Sequence, residues 1–257
     1  MTGDELGALI TGAIRGMVLA SETETRYREP LVAFADALDP RFGGLRDYVD
    51  PNHMLPQDLL PGARSVVSFF IPFAPEIPQA NGQDRREVSR DWVVAYVETN
   101  ALIDRITARL IELLAEQGVR AAAEPATYNF DQTTLVSRWS HKSVAVVAGL
   151  GSFGLHHLVI TDAGCAGRLG SLVLDAELPL GAVQSQERCL FFHDGSCLEC
   201  VQACPAGALD QGNEIDKQAC WDRCQQVAQL WSAVGRADVC GKCATGPCSV
   251  QSAVRAV

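Results

Sequence analysis

Residues 189–205 read CLFFHDGSCLECVQACP, with cysteines at 189, 197, 200 and 204 and a proline directly after the last. The end of this stretch, C-x2-C-x3-C-P, is the distal part of the ferredoxin-type run C-x2-C-x2-C-x3-C-P. The spacing has a physical basis. A cube of iron and sulfide takes four thiolates converging from a tight loop. Two-residue spacers let successive sulfurs face one centre, and a cysteine fixed beside a proline at a helix start points to a neighbouring cluster. The strict run would place its first cysteine at Asp194. Cys189 is the expected substitute, because a longer loop carries its thiolate back to the same iron. Asp194 is the alternative ligand.

Further on come Cys220 and then Cys240-GK-Cys243-ATGP-Cys248, a stretched form of the same motif. Crossed ligation gives two sets: Cys189, Cys197, Cys200 and Cys248 on one cluster, and Cys204, Cys220, Cys240 and Cys243 on the other. Eight ligands close two [4Fe–4S] clusters and leave Cys165 and Cys224 over. Cys224 reads as a helix residue and Cys165 as a thiol in a turn. Zinc is the rival occupant of paired C-x2-C units; the C-x3-C-P tail and the eight-ligand count favour iron. Nine of the ten cysteines lie between Cys189 and Cys248 in a chain of 257 residues. A secreted disulfide scaffold would be short and would carry an export signal.

The residues around this segment set limits. No apolar run approaches a membrane span. The N-terminus, MTGDELGALITGAIRGM, carries two acids ahead of its apolar stretch, so it reads as an amphipathic first helix and not as a secretory signal. A cytoplasmic location is expected. The formal charge is −10, which opposes tight binding to a phosphate backbone.

Residues 3–19 predict a helix, and residues 26–63 short helices and loops. Residues 64–71 (RSVVSFFI) predict a buried strand, and residues 74–90 a loop. Residues 90–117 are strongly helical and end at Gly118. Residues 119–135 are ambiguous, and 137–149 predict a second helix running into the glycine-rich turn 149–154. Residues 155–161 and 168–175 read as strands joined by a turn, hence a hairpin. The cut between domains falls near 181–188, giving units of 1–183 and 184–257 in an α+β protein.

Three stretches together, LLPGARSVVSFFIP (59–72), SHKSVAVVAGLGSFG (140–154) and the cysteine tail, resemble the epoxyqueuosine reductase family. The likeness is closer to its shorter, ferredoxin-bearing relatives than to the tRNA enzyme. The resemblance implies cobalamin lying between an α/β domain of nitroreductase-like shape and a ferredoxin-like, two-cluster domain. It also implies that the clusters pass single electrons to cobalt. Carried over by position, the corrinoid-contacting residues are His141, Lys142, Gly149, Gly151, Ser152, Gly154 and His156. Leu155 stands where the family usually has lysine. Asp131 is the nearest candidate for the family's general acid, and Tyr128 is a second proton donor. Small residues would also let a flat macrocycle approach the backbone.

The expected function is a cobalamin-dependent iron–sulfur oxidoreductase that reduces a small molecule or the corrinoid itself. Its electrons would come from an external low-potential donor of the ferredoxin or flavodoxin type. An electron-transfer or corrinoid-carrier protein is the alternative. Epoxyqueuosine reduction on tRNA is opposed by the acidic charge and by the short stretch after the cysteines, which leaves no room for an RNA-binding domain.

Overall fold

The computed structural model describes residues 1–181 and 186–254. The expected domain cut at 183/184 lies outside the described residues. In chain order the elements are α1 (Gly3–Leu19), β1 (Leu31–Asp36), α2 (Pro40–Tyr48), α3 (Pro56–Leu59), β2 (Ser65–Pro72), α4 (Glu76–Gly82), α5 (Arg90–Glu116), β3 (Ala121–Ala122), β4 (Phe130–Asp131), β5 (Val136–Ser137), α6 (His141–Val147), β6 (Gly151–Phe153), β7 (Val159–Thr161), β8 (Gly167–Leu174), α7 (Leu190–Asp194), α8 (Glu199–Ala203) and α9 (Lys217–Leu230).

A four-stranded antiparallel sheet, in the order β1-β2-β8-β3, organises the first 181 residues. Every residue of β2 is buried, which is why this strand reads as a continuous apolar run. Val67, Phe69 and Ile71 face one way, against Ile10 and Ile14 of α1 and Leu102, Ile106 and Leu110 of α5. Val66 and Phe70 face the other way, towards Val144, Ala145 and Val147 of α6. The sheet is therefore the middle of three layers. Each fully buried aliphatic side chain in this core contributes roughly 1.5–3 kcal/mol.

Local signals start and stop the long helices. α1 opens with a capping box between Thr2 and Glu5, and its buried residues Leu6, Ile10, Ile14 and Val18 recur every fourth position. In α5, the Ser89 hydroxyl accepts the Trp92 amide at 3.3 Å. The chain leaves that helix through Gly118 at φ 74°, a left-handed conformation that costs glycine little.

Four expectations are corrected. Residues 26–63 contain a strand, β1, besides helices. Its first four positions are half-buried, and it exists through pairing with β2 (Leu31 opposite Phe70), which no local pattern announces. The 74–90 loop contains α4. The helix expected from residue 137 begins at His141, because Ser137 pairs with Phe130 and the Ser140 side chain caps the helix. The hairpin of 155–161 with 168–175 does not form. β7 pairs with β6 and β8 with β2 and β3, since the chain turns away at Gly164 and the amides of Cys165 and Ala166 donate to the carbonyl of Ser249. Among the described residues no helix is long and apolar enough to cross a membrane.

Candidate functional site

Cys189, Cys197, Cys200 and Cys248 line one cavity with Leu155 and His156, and Cys243 reaches its edge. Cys189 immediately precedes α7 and Cys200 lies on α8, so short helices aim these thiols inward. Burial pushes the Cys200 thiol up to about 12, and neighbouring Cys248, Cys189 and Cys197 add to it. Four clustered thiols that would repel one another as thiolates fit a polynuclear cationic centre, whose charge would offset that repulsion. Asp194 is turned to solvent, its carboxylate accepting the Ser196 amide at 2.9 Å.

The second set gathers around Cys243. Burial raises its thiol, and Cys220, Cys240 and Cys204 stand close enough to raise it further. The Cys204 sulfur accepts the Ala208 amide at 3.3 Å. Cys224 follows Cys220 by one turn of α9. The Cys224 S–H beside the Cys220 sulfur is the main influence lowering the Cys220 thiol.

The spacer of the Cys240–Cys243 pair is explained by packing. Gly241 sits at φ 67°, and a Cβ there would meet the Trp92 indole at 2.0 Å. Lys242 is buried, and its ammonium donates to the carbonyls of Asn81, Asp84 and Glu87 at 2.5, 2.8 and 2.5 Å. The Trp92 indole N–H is buried beside this pair without a hydrogen-bond partner. It is an unused donor at the edge of the sulfur set, as a sulfur-rich centre would suit.

A cleft runs from the second cysteine set towards α2, α6 and β5. Its largest part, about 710 Å³, is lined by α2, α6 and β5 and by Phe153, Gly154, His157, Phe192 and Lys217. Two smaller cavities border it. One shares Ser137, Ser140 and Lys142 with it, and the other shares Leu135, Ile215 and Lys217. The size is that of small-molecule and cofactor sites. The side chains of Tyr48, Phe153 and Phe192 are exposed on its walls, an apolar rim suited to a flat ring system. Cys220, Cys224 and Cys240 open onto the cleft beside Tyr96, Tyr128 and Asp238.

The residues expected to touch a corrinoid divide. Lys142 and Gly154 line the main cavity, and the Lys142 ammonium donates to the His157 carbonyl at 3.0 Å. His141 lines an adjoining cavity, but both its nitrogens are committed. Nε2 faces the Pro125 carbonyl at 3.0 Å, and Nδ1 faces the Ser171 hydroxyl at 2.7 Å. Burial depresses its pKa to about 4.

Gly149 and Gly151 are spent on the turn itself. Gly149 takes φ 84° after α6, and a Cβ on Gly151 would lie 2.2 Å from the Ile160 carbonyl oxygen. The Ser152 hydroxyl is buried without a partner. His156 faces Cys248 instead of the cleft, while His157, at φ 58°, brings a buried, unpaired Nε2 to the main cavity. The two adjacent histidines thus face different sides of the turn, the carried-over His156 towards Cys248 and His157 towards the cavity.

Asp131 is exposed, and its carboxylate accepts the amides of Thr133 and Thr134 at 2.8 Å each. Those bonds hold its pKa below the usual range, so this acid is tied to its own turn. Tyr128 does reach the cleft. Its hydroxyl donates to Asp238 Oδ1 at 3.2 Å, and the Tyr96 hydroxyl donates to the same oxygen at 2.8 Å. The Arg236 guanidinium lies 3.5 Å above the Tyr128 ring. Desolvation raises both phenol pKa values, and Asp238 adds to the rise. Neither Tyr96 nor Asp238 carried a sequence signal, because nothing local joins positions 142 residues apart.

Comparison with known proteins adds context. No family profile matches the chain. The epoxyqueuosine reductase of Salmonella typhimurium is 28% identical over 204 residues, covering 78% of this chain and 50% of that protein. The chain thus spans about half the length of the curated relatives it matches. The solved epoxyqueuosine reductase of Bacillus subtilis superposes with a TM-score of 0.60 at 17% identity, covering 95% of this chain and 66% of that one. A reductive dehalogenase, whose structure is described as suggesting a mechanism for B12-dependent dehalogenation, gives a TM-score of 0.52 at 15% identity, over 80% of this chain and 28% of its own. In sequence and in fold, the chain is epoxyqueuosine reductase-like.

Proposed function

We propose that this chain is an iron–sulfur, corrinoid-dependent reductase, with residues 1–183 forming the corrinoid-binding part and residues 184–257 carrying two [4Fe–4S] clusters. The observation that carries this reading is the gathering of the cysteines into two sets, the second of which opens onto the cleft through Cys220 and Cys240. Cys189, Cys197, Cys200 and Cys248 would hold one cluster, and Cys204, Cys220, Cys240 and Cys243 the other. When bound, the clusters supply single electrons at low potential and the corrinoid supplies a cobalt that uses them on the substrate.

The chain's own residues do the rest. Lys142, Gly154 and His157 face the main cavity and would seat the corrinoid edge. The exposed apolar side chains of Tyr48, Phe153 and Phe192 would pack on the corrinoid face. The Tyr128 hydroxyl, held by Asp238 at the cleft, would deliver a proton to the product. This proton-donor network favours an enzyme over a carrier, which needs no such group. The substrate class that fits is a small molecule, or the corrinoid itself, given the net charge of −10. A ferredoxin- or flavodoxin-type donor would supply the electrons.

The test is titration of the anaerobically reconstituted chain with hydroxocobalamin, followed by absorbance after desalting. The wild type retains cobalamin. Val146→Trp, which fills the main cavity from α6, weakens retention at least ~10-fold, or about 1.4 kcal/mol, with iron content unchanged. A fully clustered wild type that retains no cobalamin contradicts the proposal.

A further inference from the structure

The His156 ring is 3% exposed. Its Nδ1 accepts the Leu158 backbone amide at 3.1 Å. An amide only donates, so Nδ1 carries no proton and the proton of the neutral ring sits on Nε2. That nitrogen lies 3.3 Å from Cys248 Sγ. His156 therefore directs an N–H at a sulfur assigned as a cluster ligand.

The turn holding the ring is built for it. A Cβ on Gly154 would lie 2.8 Å from His156 Cε1 and 2.8 Å from Ile160 Cδ1, so any larger residue displaces the imidazole. The Gly154 amide donates to the Leu158 carbonyl at 2.9 Å, closing the loop around the histidine. The side chain at 155, leucine here, packs in the same apolar cluster as Cys189.

We infer that His156 tunes the cluster that counts Cys248 among its ligands, with Gly154 as its positioning residue, an inference that rests on the two-cluster reading. A thiolate accepting an N–H bond has part of its negative charge neutralised. One-electron reduction adds a further negative charge to the cluster and its ligands. The donor therefore stabilises the reduced form more than the oxidised form and raises the potential. Only one of the two clusters carries Cys248, so only one potential depends on this histidine.

The experiment is a reductive titration of the full, anaerobically reconstituted chain, followed by electron paramagnetic resonance. Dithionite supplies one electron per cluster. In His156→Leu, one of the two midpoint potentials moves to a more negative value and the other stays. His156→Gln, which keeps an amide N–H at comparable reach, restores part of the shift. Gly154→Ala moves the same potential in the same direction while leaving the histidine in the sequence. Full iron loading with both potentials unmoved in His156→Leu and in Gly154→Ala overturns this inference alone. An iron-free wild type overturns the two-cluster reading and this inference with it.

Discussion

Cys165, just ahead of the central strand β8, and Cys248, near the end of the cysteine-rich segment, are joined main chain to main chain. The Cys165 amide donates to the Cys248 carbonyl at 2.9 Å, and their sulfurs lie 4.0 Å apart. Gly164 makes the approach feasible, because a Cβ there would meet the Ser249 carbonyl oxygen at 2.3 Å. The sheet domain thus grips the loop that carries one proposed cluster ligand.

This pair separates a ligand from its neighbour. Cys197, Cys200, Cys189 and Cys248 line one cavity, of which Cys165 is not a lining residue, although its sulfur lies within 4.8 Å of Cys248 and His156. Replacing Cys248 by alanine is expected to remove about half of the iron, from about eight to about four atoms per chain. Cys165→Ala should leave the iron count at the wild-type level. Colorimetric iron and acid-labile sulfide assays on both variants check this, and iron loss in Cys165→Ala with none in Cys248→Ala would exchange the two roles.

Lys242 pins the Cys240–Cys243 turn to the 81–87 loop through three carbonyls. Lys242→Met keeps an unbranched side chain, one atom shorter, and leaves those acceptors without this donor. The expected cost is about 2–3 kcal/mol, read as a lower denaturant midpoint under anaerobic conditions. A midpoint equal to wild type would show the ammonium to be dispensable.

His141 predicts a pH dependence of stability. Its pKa falls from 6.5 to about 4 on folding, because burial disfavours the charged ring. Between those values the unfolded chain binds the extra proton, so stability rises with pH there and declines as pH falls below 6.5. From pH 7.5 to 5.5 this single group should cost about 1 kcal/mol. Denaturant unfolding of wild type and His141→Gln at the two pH values checks it: the variant loses that much less, and equal losses would contradict the assignment.

What was legible in the sequence follows from how local each signal is. The stripe of α1, the buried run of β2 and the length of α5 are written in neighbouring residues, and all three elements form within a residue of expectation. That these cysteines gather was legible because C-x2-C and C-x3-C spacings keep thiols together in short loops. β1 and the pairing of β7 and β8 were not legible, since each depends on a partner far away in sequence. The site divides in the same way. Lys142 and Tyr128 face the cleft. His156 faces sulfur, Asp131 caps its own turn, and Tyr96, His157 and Asp238 join the site only through the fold.

The account stands on thiolates holding two cubane clusters. Its most direct test is Mössbauer spectroscopy of the oxygen-protected, 57Fe-reconstituted chain, with iron and sulfide quantified on the same sample. Two [4Fe–4S] centres, with about eight iron and about eight sulfide per chain, are predicted. A colourless protein with those cysteines paired as disulfides or occupied by zinc would contradict it.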